Sequence, residues 1–253
     1  MLKTNSKKIL TWLYSDTEKI AFLKRKNVNL IVDNLSKEGL RSLLYHLTRQ
    51  GLIEEQLLGG EIGYYITRRG KRVIEEEMRV LSPKWGQWDG SWLLITIIES
   101  SREGQDIQKL RRVLRESGAL AFNRGMYLWP GCFGDELRNE VLSDYVEFVW
   151  VWEIKDLPDE NTNKKITEKM AIKACIENYS AVSSEIDNLL DKNQPKKRLT
   201  ESAIVQKFRI YDRLFFVGVE DGGLVSFFLK KLQKSTNNEF DFKCLLNRLQ
   251  DKT

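Results

Sequence analysis

Two adjacent glycines, Gly59-Gly60, separate two runs of strand-forming residues, Leu52 to Leu57 and Ile62 to Ile66. A two-residue glycine turn supplies positive φ without steric cost, so this segment predicts a β-hairpin. Immediately upstream lies "LSKEGLRSLLYHLTRQG". Ser36 can accept from the free amides at the start of a helix, and Gly51 can take the left-handed position at its end. Leu40, Leu43, Leu44 and Leu47 recur at helical spacing and give one apolar face. Lys37, Arg41, Tyr45 and Thr48 share another face, with Arg49 beside them. Beyond the hairpin, Thr67 caps a closing helix through Val73 and Ile74. Upstream, "SKKILTWLY" reads as a first helix, with Ile9, Leu10 and Leu13 on one stripe and Ser6 as its N-cap; "NVNLIVDNL" is a second apolar segment.

Charge sharpens this order of elements. Residues 1–80 carry fifteen Lys/Arg against ten Asp/Glu, whereas the rest of the chain carries twenty-six of each. The whole net charge of +5 therefore sits in the first third. One part facing a polyanion, and the rest not, gives this distribution. Helices, then a cationic helix, then a hairpin make a winged helix-turn-helix over residues 1–80, whose helix at 36–50 reads a major groove. The expected DNA contacts are Lys37, Arg41, Ser42, Tyr45, His46 and Arg49 from that helix, and Arg68, Arg69 and Lys71 past the hairpin. The hairpin tip, Leu58 to Glu61, has no positive charge and is not expected to enter a minor groove.

The remaining composition excludes several classes. No apolar run reaches bilayer-spanning length, and "MLKTNSKKILTWLYSD" has no signal-peptide core. Cys132, Cys175 and Cys244 are widely spaced, odd in number and in no metal or redox pairing. A cytoplasmic protein is expected, with no cofactor and no metal site.

From Ser91 the pattern becomes β-α-β-β-α-β, the ferredoxin-like order, over residues 85–156. "SWLLITIIES" is its first strand, and "GQDIQKLRRVLRESG" a helix with Ile107, Leu110 and Leu114 inward. Two short strands flank Asn123-Arg124-Gly125, a short helix covers Gly134–Leu142, and "YVEFVWVWEI" closes the sheet. In that last strand Val146, Phe148, Trp150 and Trp152 share one face, and Val149 and Val151 the other. Two apolar faces require a central position or a partner on the second face. Trp85, Trp88 and Trp92 open this part. Their roles lie between a joint or core, an effector pocket and nucleic-acid stacking; the lack of interleaved Arg weighs against the last.

The segments Trp88-Asp89-Gly90-Ser91-Trp92, "LRRVLRESG" from Leu110 to Gly118, and Met126 to Pro130 resemble the PaaX-type bacterial transcriptional regulators. "GLRSLLYHLTRQGLIEE" is similar to that family's recognition helix and following strand. The resemblance covers roughly residues 30–155. It implies a dimeric repressor on double-stranded DNA with paired half-sites, and an effector that is an acyl-CoA thioester in some members. The family's middle domain is similar to the ferredoxin-like CRISPR-associated spacer-acquisition nucleases, in which an acidic residue ending the first strand can hold a metal. Here "IIESS" replaces the usual "FDIPE", and Glu99 lies one residue beyond that position, which reverses its face. No catalytic role is expected.

Residues 164–253 read as a helical C-terminal region, with helices about 166–190, 200–217, 224–232 and 240–249 and a Lys196-Lys197-Arg198 linker. "VGVEDGGLVSFF" departs from the Leu-Pro-rich segment usual in PaaX-type relatives. The expectation is thus an α+β regulator acting as a homodimer. A metal-dependent nuclease and a protein-binding adaptor stand as alternatives.

Overall fold

The computed structural model describes residues 2–15, 21–98, 104–155, 168, 172–192, 199–225 and 241–250. It is an α+β chain with two antiparallel sheets. It divides into two compact units, Met1–Ser82 with Ala174–Thr253, and Pro83–Lys173. The C-terminal helices thus share a unit with the first eighty residues instead of standing as a third part. Glu99, the Lys196-Lys197-Arg198 run and the helix expected at 224–232 fall wholly or mostly outside the described residues.

The first unit begins with α1 (Thr4–Leu13), the short strand β1 (Leu23–Lys24) and a 3-10 turn at Arg25–Leu30. Next come α2 (Lys37–Arg49), β2 (Ile53–Leu58), β3 (Glu61–Ile66) and α3 (Arg68–Glu77). The sheet order is β1-β3-β2, with Leu58 opposite Glu61 across the turn. Gly59 and Gly60 have φ of 58° and 81°, the left-handed values a tight hairpin turn requires. Gly39 N donates to Ser36 Oγ at 3.1 Å and Gly70 N to Thr67 Oγ1 at 2.9 Å, so both expected caps form. Ser6 is not a cap: α1 starts at Thr4, and Ser6 is buried within its first turn.

Three C-terminal helices, α6 (Ile172–Lys192), α7 (Glu201–Asp221) and α8 (Phe242–Gln250), complete this unit. Trp12 of α1 packs on Phe208 and Tyr211 of α7, at ring separations of 4.7 and 4.9 Å. The Tyr211 hydroxyl donates to Lys8 O, and Gln250 Nε2 to Tyr14 O at 2.9 Å. Gly218 lets α7 approach α8, because a Cβ there would sit 2.4 Å from the Phe242 ring. Burial of these aromatics, at roughly 25 cal/mol per Å² of apolar surface, fastens the C-terminal helices to α1.

The second unit contains β4 (Trp92–Ile97), α4 (Gly104–Glu116), β5 (Leu120–Ala121) and β6 (Met126–Pro130). A short helix α5 (Gly134–Glu136) continues as a wider turn through Val141, and β7 (Val149–Ile154) closes the sheet. The order β5-β6-β4-β7 is antiparallel throughout. Leu93, Ile95, Ile97, Tyr127, Trp129 and Val149 enter a core with Ile107, Leu110 and Leu114 of α4. The last strand differs from expectation. Val146–Phe148 forms a 3-10 turn, leaving Val146 68% exposed and Phe148 buried, so they share no face. β7 also lies at the sheet edge, not at its centre.

No helix among the described residues is long and apolar enough to cross a membrane.

Candidate nucleic-acid interface

The helix α2 turns Leu44 and Leu47 inward, leaving its opposite side to solvent. Ser42, Tyr45, His46 and Arg49 are exposed there, and Lys37 and Arg41 are exposed beside Leu44, at the margin of the apolar stripe. Tyr45 is 63% exposed and meets the His46 ring edge-on at 6.4 Å. A capped helix with one short apolar stripe can hold such a polar face rigidly, because the cap and the stripe fix its ends and its rotation.

Lys37, Leu40, Arg41, Leu44, Tyr45 and Thr48 form one wall of an open cleft of about 500 Å³. Arg25, at the start of the 3-10 turn, and Glu55 and Tyr64 of the hairpin form the others. Three cationic side chains thus face one carboxylate. That carboxylate is engaged: the Tyr64 hydroxyl donates to Glu55 Oε2 at 2.9 Å, and Arg25 Nη1 approaches it at 4.0 Å. Burial, reinforced by Glu55, pushes the Tyr64 hydroxyl up to about 12. Tyr64 therefore remains a hydrogen-bond donor at neutral pH. A cleft in which Arg25, Lys37 and Arg41 outnumber one carboxylate already engaged by Tyr64 can seat a phosphodiester against those three cations.

The hairpin tip has a different chemistry. Lys24 Nζ lies 2.7 Å from Glu61 Oε2, and Lys26 bonds the other carboxylate oxygen. These two bonds, Lys24 first, bring the Glu61 carboxyl down to about 2. Glu61 thereby offsets one of the two lysine charges and holds both ammonium groups in place. Leu57, Leu58 and Ile62 stand 71%, 55% and 41% exposed beside them, which makes an apolar tip.

The residues expected past the hairpin divide. Arg68 and Arg69 are exposed in the first turn of α3. Lys71 instead donates to Ser15 O at 2.8 Å and lies over the Tyr14 ring at 5.1 Å. Its charge ties α3 to the end of α1, a role invisible in a local "RRGKR" run. Sequence reasoning also missed Arg25, Glu55 and Tyr64 as cleft residues. The basic run "LKRKN" is the one signal that pointed to Arg25.

In the second unit, Trp85, Trp88 and Trp92 form a chain of edge-to-face contacts. Trp85 meets Phe133 at 5.0 Å and Trp88 at 5.2 Å, and Trp88 meets Trp92 at 5.0 Å. Trp88 Nε1 donates to Ser91 O at 2.6 Å, while Asp89 accepts from Ser91 N at 2.8 Å. Trp88 and Trp92 are buried and Trp85 partly so. The set belongs to the packing of this unit. Among the described residues, no three His, Cys, Asp or Glu side chains converge as a metal site.

No family model matches the chain, and no curated protein matches it. Among solved structures, it is similar to the uncharacterized protein Rv0674 from Mycobacterium tuberculosis. That similarity spans 95% of each chain at 13% identity, with a TM-score of 0.42.

Proposed function

We propose that this protein is a DNA-binding transcriptional regulator, a dimeric repressor of the PaaX type that binds double-stranded DNA through α2. The single observation that carries this reading is the cleft in which Arg25, Lys37 and Arg41 face outward beside the exposed Tyr45. The element order α1, β1, 3-10 turn, α2, β2, β3 and the sheet order β1-β3-β2 support a winged helix-turn-helix. In it, α2 is the recognition helix, and the 3-10 turn stands where a second helix is usual. The order β5-β6-β4-β7, with α4 after β4, supports a ferredoxin-like second unit. Repression is binding without chemistry, so no catalytic residue is assigned. An effector, an acyl-CoA thioester by resemblance alone, would act by changing how two recognition helices are presented to paired half-sites.

Selection of bound fragments from host genomic DNA, followed by footprinting, tests the reading. It predicts an enriched, near-palindromic duplex whose affinity falls with salt and with Lys37→Ala or Arg41→Ala. Absence of any enriched site removes it. A protein-binding adaptor is a second reading, favoured by the apolar tip of Leu57, Leu58 and Ile62. It predicts binding that neither salt nor these two substitutions affect.

A further inference from the structure

We infer that a second copy of this chain docks on the edge of β7 that no other strand among the described residues pairs with, joining it antiparallel about a two-fold axis at Val151. Exposed strand edges invite pairing, and proteins blunt them by shortness, charge or proline. The other sheet edges are blunted: β1 and β5 have two residues each, and β2 exposes Glu54 and Glu55. By contrast, β7 has six residues, reads VWVWEI, and holds neither lysine nor proline. Trp150 and Trp152 stand 57% and 56% exposed on one face, their rings 6.4 Å apart. Glu147 and Glu153 flank them, which disfavours a nucleic acid as the occupant.

Hydrogen-bond parity selects the register. Ile98 N donates to Phe148 O at 2.8 Å, and Thr96 and Leu94 pair with Trp150 and Trp152. Even-numbered residues of β7 therefore turn their backbone groups toward β4, and Val149, Val151 and Glu153 turn theirs to the opposite edge. A two-fold axis at Val151 pairs that residue with itself, and Val149 with Glu153 of the partner subunit, all as hydrogen-bonded pairs. The same register places Trp150 opposite Trp152 of the partner subunit, twice. Those are non-hydrogen-bonded positions, where Cα atoms approach to roughly 4.5 Å and side chains pack closest. Glu147 precedes the strand and Lys155 follows it, so antiparallel pairing brings unlike charges together and parallel pairing like ones. Strand pattern, parity and charge are thus self-complementary, as an isologous contact requires. One strand edge and four tryptophans make a small interface, of the size class of weak, concentration-dependent association.

The inference extends the homodimer of the reading above, but its test contains no DNA, so the two fail separately. Sedimentation velocity on the full chain should show a concentration-dependent monomer–dimer equilibrium. Trp150→Lys with Trp152→Lys should weaken it at least about tenfold, with the thermal unfolding midpoint unchanged. A wild-type chain that stays monomeric at roughly 100 μM overturns the inference, as does a dimer that the double substitution leaves intact. The register has its own test. Under mild oxidation, an equimolar mixture of Trp150→Cys and Trp152→Cys chains should give a mixed disulfide, mapped by peptide mass. A disulfide joining two Trp150→Cys chains overturns the axis at Val151.

Discussion

Lys8 on α1 and Asp212 on α7 form an ion pair across 204 residues of sequence. The Lys8 side chain is fully buried; its ammonium also lies 2.6 Å from Asp33 Oδ2 and 4.8 Å from the Phe216 ring centre. The two carboxylates are unlike it, with side chains 54% and 41% exposed for Asp33 and Asp212. One buried cation is therefore shared between two half-hydrated anions, and it joins the N-terminal helix to the C-terminal region.

Shortening this side chain leaves a cavity and removes both bonds, whereas Met keeps most of the volume and lets the carboxylates rehydrate. Lys8→Ala should cost about 3 kcal/mol, and Lys8→Met about 1 kcal/mol, in urea unfolding at pH 7. Burial pulls the Lys8 pKa down, but the bonds to Asp212 and Asp33 outweigh it, and the net shift is upward from 10.5. A raised lysine pKa stabilises the fold fully below the unfolded value and loses that stabilisation as pH climbs through the folded value. The Lys8 contribution should accordingly be constant from neutral pH to about pH 10 and decline only above it.

Asp221 behaves in the opposite sense. It is buried at the end of α7, and it accepts from Tyr179 Oη at 2.9 Å and Val225 N at 2.7 Å. Burial raises its pKa to about 6 despite those bonds. The folded state thus holds a proton that the unfolded state has released between about pH 4 and pH 6. Stability should fall as pH rises through that window, by on the order of 2 kcal/mol. Asp221→Asn should flatten the fall, because Asn still accepts from Val225 N and has no proton to lose. Urea midpoints of both proteins at pH 4.5 and pH 7 give the comparison, and equal slopes would refute it.

Gly70 tests how closely α3 approaches the backbone that leads into β2. A Cβ there would sit 2.1 Å from Leu52 O and 2.9 Å from the Ile66 side chain. Leu52 O also accepts from Thr67 N at 3.0 Å, so the backbone oxygen is not free to move. Helix propensity favours Ala over Gly by about 1 kcal/mol, yet here the clash wins. Gly70→Ala should destabilise by about 2 kcal/mol or more in thermal or urea unfolding.

How much of this was legible beforehand depended on distance along the chain. The caps at Ser36 and Thr67, the Gly59-Gly60 turn and the inward face of α4 follow from neighbours within a few residues. Local chemistry alone decides them. The packing of α7 on α1 rests on Lys8, Trp12, Phe208 and Tyr211, and no local pattern joins residues two hundred positions apart. A lysine in "SKKIL" reads as solvated, and its burial depends on Asp33 and Asp212 arriving from elsewhere. The same limit applied to the candidate site. The outward face of α2 was readable from its leucine spacing. Arg25 entered the cleft, and Lys71 bonded Ser15 O, for tertiary reasons.

Arg25 and Lys71 therefore make a matched pair for testing the interface. Both belong to basic runs, but Arg25 lines the cleft while Lys71 donates to Ser15 O over the Tyr14 ring. A cation that neutralises a phosphate releases a counterion, and removing it lowers the slope of log affinity against log salt by about 0.9. Arg25→Ala should weaken duplex binding about tenfold at moderate salt and reduce the slope by roughly that amount, with little change in stability. Lys71→Ala should leave the slope unchanged but lower the unfolding free energy by about 1 kcal/mol, through the lost bond and ring contact. Fluorescence anisotropy on a selected duplex over a salt series, beside urea unfolding of each variant, separates the two effects. A reversed pattern, with the slope changed by Lys71→Ala and not by Arg25→Ala, would place the phosphate contacts on α3 rather than in the cleft.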